Sequence, residues 1–171
     1  MASGGKTKAG VPDRGTFELY RKGEPSPRMA LTIRLVLAAR RYRAMLDERL
    51  RPAGQSAARM EAMGAILNAP ELRPQVDIAK RLRIEGPTLT RMLDALEKDG
   101  MVQRLPDPSD RRTKQLRLTA AGEAALGDIF DIADELRVRL LDGFSDEELA
   151  VMNGFLARLL ERLDNGLKHE D

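Results

Sequence analysis

Three stretches of the chain repeat apolar side chains at alternating steps of three and four residues. Leu31, Leu35, Ala38, Tyr42 and Met45 form the first, Leu126, Ile129, Ala133, Leu136 and Leu140 the second, and Leu149, Met152, Leu156, Leu159 and Leu163 the third. An α-helix turns once in about 3.6 residues, so these steps put every member of a set on one narrow stripe, the kind along which helices pair. One stripe lies near the start and two near the end, enclosing a compact middle. A single bundle within one chain would satisfy them. Two copies with intertwined ends explain better why the seams sit at both termini.

Composition agrees with a helical chain. Aromatic residues make up 4 % and Trp is absent, which disfavours a β-sandwich, while Leu, Ala, Arg and Met favour helix. The first long helix is expected to start near Pro27, proline being suited to a first turn, and to stop at Pro52 and Gly54. A second runs from about Ser56 to Leu67 with Met60, Met63, Ile66 and Leu67 on it. Thr119 is expected to cap a later helix, Gly143 to break it, and the SDEE run from Ser145 to Glu148 to cap the last one through a capping box. Residues 1–27 are rich in Gly, Pro, Lys and Ser and read as a flexible tail with a small apolar cluster at Phe17, Leu19 and Tyr20.

The middle carries the chemistry. PQVDIAKRL gives a short amphipathic helix with Val76, Ile78, Ala79 and Leu82 inside. After RIEG a second helix opens with Gly86 and Pro87 and closes at Gly100, start and stop signals in their proper order. Its inner stripe is Leu89, Leu93 and Leu96, which leaves Thr88, Thr90, Arg91 and Asp94 outside. Two short strands follow, near residues 102–105 and 114–118, around a turn that bears Asp110, Arg111 and Arg112. A helix-turn-helix followed directly by a two-stranded wing points to DNA. The N-terminal half of such a second helix enters a major groove, where Thr hydroxyls and methyls or an Arg fork read base edges. Pro87 would abut a thymine methyl or a sugar. A guanidinium at the hairpin tip fits a narrow minor groove, and Lys80, Arg81, Arg83 and Lys114 are placed to touch phosphates. Read blandly, Asp110 and Arg112 are an exposed pair worth roughly 0–1 kcal/mol, and Arg91 is a solvated helix residue.

Charge is distributed in the same sense. Residues 1–72 hold 13 Lys+Arg against 7 Asp+Glu, residues 73–117 hold 11 against 7, and residues 118–171 hold 5 against 13. The pattern fits an anionic partner met by one face, and equally a solvated surface that happens to segregate. Catalysis is not expected: the sequence has no nucleophile–base pair, glycine-rich phosphate loop or metal-ligand cluster. There is no Cys, and the single His, His169, lies in a polar end segment. The first residues lack the apolar core of a signal peptide, and no run reaches the roughly 18 apolar residues of a membrane span. A cytoplasmic protein without cofactor, metal or membrane is expected.

The stretch IEGPTLTRMLDALEKDGMVQRLPDPSDRRTKQLRLTAAGEAAL resembles the MarR family of winged-helix repressors, in particular its SlyA-like branch. The matching pieces are TLTRMLDALEKDG, MVQR, DPSDRR and LTAAG, and the similarity is most specific over residues 78–122. The resemblance implies a mainly α fold with a small β-wing: a winged helix-turn-helix core, residues 55–118, flanked by dimerisation helices, residues 28–51 and 119–168, in one domain of residues 28–171. It implies a homodimeric repressor of palindromic operators in double-stranded DNA, released by a small ligand. Arg112 matches the family's minor-groove arginine and Asp110 the acid that shapes the wing. Pairing of Asp110 with a nearby guanidinium, Arg104 first, would splay the tip. The family's ligand pocket lies between dimer helices and winged part, which makes Arg40, Tyr42, Arg43, Met45, Met60 and Met63 candidates here. Methionine gives a malleable wall and arginine a carboxylate fork, so an aromatic carboxylate or CoA thioester is the expected effector. Met60 stands where many members carry an aromatic ring, and cysteine-based peroxide sensing is impossible. Two other classes remain: an architectural DNA-binding protein without ligand control, and a helical protein-interaction module.

Overall fold

The computed structural model describes residues 15–69, 73–107 and 114–166. In chain order it contains α1 (Gly15–Arg21), α2 (Pro27–Leu50), α3 (Ala57–Leu67), β1 (Arg73–Pro74), α4 (Gln75–Leu82), α5 (Gly86–Lys98), β2 (Val102–Pro106), β3 (Lys114–Leu118), α6 (Ala120–Leu140) and α7 (Asp146–Asp164). The chain divides into two compact units, Met1–Glu61 and Ala62–Asp171.

In the first unit α2 starts where its proline allows. The Ser26 hydroxyl accepts from the Met29 amide at 3.4 Å, and Pro27 occupies the first turn, where no amide is needed. A 3-10 turn, Arg51–Ala53, and Gly54 at φ 68° end the helix and reverse the chain. Asp47 accepts from the Ala57 amide at 2.7 Å, which covers an open donor at the start of α3, and Arg43 pairs with Glu61. Leu46, Leu50 and Ala57 are buried. Farther up α2, Leu31, Val36, Leu37 and Met45 are exposed. α1 was not anticipated. It lies inside the segment expected as a tail, with an ion pair between Arg21 and Glu18 at 2.7 Å and with Phe17, Leu19 and Tyr20 exposed.

The second unit has the larger core. Ile78 of α4, Leu89, Leu93 and Leu96 of α5, Val102 of β2, Leu116 of β3 and Ile129 of α6 are fully buried. Each such side chain contributes roughly 1.5–3 kcal/mol by leaving water. The inner stripe expected for α5 is the one observed. α5 stops at Gly100, whose φ of 72° suits a residue without Cβ. The strands form an antiparallel sheet in the order β1-β3-β2, with Val102 opposite Leu118, Arg104 opposite Leu116 and Pro106 opposite Lys114. The expected wing had two strands. The third, β1, pairs Arg73 with Leu116 and Pro74 with Gln115, so β3 lies in the middle.

A tight joint follows the wing. The Thr119 hydroxyl accepts from the Gly122 amide at 3.0 Å and donates to the Gly100 carbonyl at 2.7 Å, while the Thr119 amide donates to the Met101 carbonyl at 3.0 Å. A side chain on Gly122 would collide with that Met101 carbonyl, so the LTAAG glycine is dictated by close approach of two backbones. α6 then buries Leu126, Ile129, Ala133 and Leu136. α7 has the capping box read from SDEE: Ser145 Oγ accepts from the Glu148 amide at 3.2 Å, and Glu148 accepts from the Ser145 amide at 2.8 Å. No residue of α7 is buried.

Candidate nucleic-acid interface

The RIEG turn between α4 and α5 is made by Arg83, which adopts a left-handed conformation at φ 53°. Its amide donates to the Lys80 carbonyl and closes α4, and its side chain pairs with Asp164 of α7. Glu85 then offers its carbonyl to the amides of Thr88 and Leu89, both at 3.1 Å, and α5 begins. Because the leucines at 89, 93 and 96 face the core, the residues between them face out. Pro87, Thr88 and Arg91 are exposed at the N-terminal half of α5, and among the described residues Arg91 has no ion-pair partner.

Thr90 differs from its neighbours. It is half-buried, its hydroxyl donates to the Gly86 carbonyl at 3.0 Å and accepts from Gln75 Nε2 at 2.6 Å. Its hydrogen bonds tie α4 to α5, and a hydroxyl so engaged has little left for a base. Among the proposed phosphate contacts, Lys80 and Lys114 are exposed. Arg81 donates to the Asn68 carbonyl at 3.2 Å and Arg83 is paired as described, each through one nitrogen of an exposed guanidinium. Arg117 is exposed on β3 and donates to Gln103 at 3.0 Å across the hairpin, a contact that sequence reading did not single out. Asp110, Arg111 and Arg112 lie outside the described residues.

Arg104 was expected to pair with Asp110. Asp110 lies outside the described residues; among those described, the Arg104 guanidinium lies on α5, donating to Asp94 and to Glu97, each at 2.6 Å, and to the Thr90 carbonyl at 3.5 Å. Burial pulls its pKa down, but the hydrogen bonds and charges of Asp94 and Glu97 outweigh that and hold it above the ordinary arginine value. Strand alternation supplies the reason: Val102 and Arg104 share the face of β2 that meets α5, so a long cationic side chain there lands on the helix.

The ligand candidates belong to α2 and α3. Arg40 and Met45 are exposed, Tyr42 and Met60 half-buried, Arg43 is paired with Glu61, and Met63 is fully buried.

Two short helices joined by a three-residue turn and followed by a small antiparallel sheet define a winged helix-turn-helix. Residues 56–114 match the MarR family. The transcriptional regulator PA3341 is 35% identical, with a TM-score of 0.70 over 80% of this chain and 99% of that one. Wild-type MarR from E. coli in its apo form is 28% identical, with a TM-score of 0.68 over 76% of this chain and 96% of that chain. A mutant E. coli MarR complexed with operator DNA is also 28% identical, with a TM-score of 0.69 over 77% and 94% of the two chains. The chain belongs to the MarR family. Its solved relatives are transcriptional regulators rather than enzymes, and no described helix is long and apolar enough to cross a membrane.

Proposed function

We propose that the chain is a cytoplasmic, sequence-specific DNA-binding regulator that acts as a homodimeric repressor of palindromic operators. The observation that carries this reading is the outer face of α5, where Pro87, Thr88 and Arg91 stand exposed at the helix start beside a basic wing strand. Residues 55–118 read DNA in this account, with Thr88 and Arg91 on base edges, Thr90 chiefly bracing the helix, and Lys114 and Arg111 on phosphate. Arg112 enters the minor groove and Asp110 shapes the tip that presents it. Residues 28–51 and 119–168 hold two copies together. The exposed apolar side chains Leu31, Val36, Val151, Met152 and Leu160 support that part, because a monomer in water would leave them unpartnered. An aromatic carboxylate or CoA thioester, taken up near Arg40, Tyr42, Arg43, Met60 and Met63, releases the DNA.

The test is a binding titration on the promoter fragments of neighbouring genes, with half-sites about one helical turn apart. Arg112→Ala is expected to weaken binding about 10- to 100-fold while light scattering still reports a dimer. Unchanged affinity at fixed salt removes Arg112 from the interface. Binding that ignores sequence, falls steeply with salt and resists every metabolite would favour an architectural protein instead.

A further inference from the structure

The recognition helix carries two carboxylates that a DNA-facing element should not need. Asp94 is three residues beyond Arg91 and Glu97 one turn further, and both have partly exposed side chains, 59% and 43%. Residues three apart on a helix are neighbours, so a free Asp94 would draw Arg91 into a local pair. It would also repel phosphate. Among the described residues Asp94 pairs with Arg104 rather than with Arg91: the Arg104 guanidinium from β2 takes both carboxylates at 2.6 Å, with its own side chain only 19% exposed. A third contact, to the Thr90 carbonyl, places the same group across two turns of α5.

We infer that Arg104 is a positioning residue for DNA recognition: it sequesters Asp94 and Glu97, keeps Arg91 free for DNA, and fixes the recognition helix to the wing strand. The inference rests on the DNA-reading role proposed above, and it gives Arg104 no contact with DNA. A planar guanidinium can hold two carboxylates in fixed directions, which an ammonium cannot, so the position calls for arginine rather than for positive charge alone. Clamped in this way, the helix and the wing would approach their two grooves as one body.

The test uses the full chain and the promoter fragment bound best by wild type, with thermal unfolding measured in parallel. R104Q should bind about tenfold more weakly, with less loss in an R91A background, since the harm passes through Arg91. The triple variant R104Q/D94N/E97Q should recover most of that affinity, because the carboxylates that interfere are gone. A merely structural arginine predicts the reverse: equal losses with and without Arg91, and a triple variant no better than R104Q. If R104Q does not fold, R104K supplies the measurement, with a smaller loss of binding that D94N/E97Q relieves. Wild-type affinity in R104Q or R104K, or no recovery in the multiple variants, overturns the inference. Failure of wild type to bind any duplex DNA is a separate result, which overturns the functional reading and the inference with it.

Discussion

The winged core and the last helix both carry regularly spaced apolar side chains and use them in opposite ways. Between α4 and β3 the apolar side chains close on one another, and Ile78, Leu89, Leu93, Leu96, Val102 and Leu116 leave water almost completely. α7 has an equally regular stripe and a well-made start, yet none of its residues is buried: Met152 and Leu163 of the stripe stand more than half exposed, and Leu149, Leu156 and Leu159 are only half-buried. Regular patterning therefore says that a helix has an apolar face, not that its own chain covers it. The first region carries its own reason to fold. The second is complete only against another surface.

That contrast can be broken at its strongest point first. Gly122→Ala forces a methyl group into the Met101 carbonyl where two backbones meet, and neither can retreat without opening the joint between wing and α6. A loss of about 3 kcal/mol in denaturant unfolding is expected. A fully stable variant would show that the joint is looser than its hydrogen bonds imply. Leu160→Asp comes next and acts on the other region. It should weaken self-association by about 2 kcal/mol, read by sedimentation, and change monomer stability by no more than about 0.5 kcal/mol. Should the monomer itself unfold, α7 is covered from within the chain and the contrast is false.

The smallest effect is at the cap. Ser145→Ala removes one half of the capping box and should cost about 1 kcal/mol. Its pH dependence sharpens the assignment. The Glu147 carboxyl is held below its ordinary range by hydrogen bonds from its own amide and from Ser145. A depressed carboxylate stabilises the fold above its ordinary pKa and loses that contribution as pH falls through the folded value. Helix signal at α7 should therefore weaken on acidification, and less so in Ser145→Ala.

Much of this architecture was legible because local chemistry specified it. Pro27, Pro87 and Gly100, the Thr119 cap and the Ser145–Glu148 box each act within one helical turn, and each stands where the sequence placed it. What escaped reading is non-local. β1 is two residues long and is a strand only because β3 lies beside it, so no periodicity announces it. The contacts of Arg104 with Glu97 and Asp94, seven and ten residues earlier on another element, follow from the face of β2 on which it stands, and no local signal announces them. Thr90 looked like its exposed neighbours until Gln75, fifteen residues earlier, was brought against it.

The short strand at Arg73–Pro74 has one more consequence. It makes β3 the interior strand and leaves β1 and β2 as the borders of the sheet, and each border strand carries a proline, Pro74 and Pro106. A proline offers no amide to a strand arriving from outside, and a two-residue border gives it almost nothing to zip along. The wing is thus a sheet that cannot readily grow. Strand addition between copies of the chain, and fibril formation by that route, is discouraged at both borders.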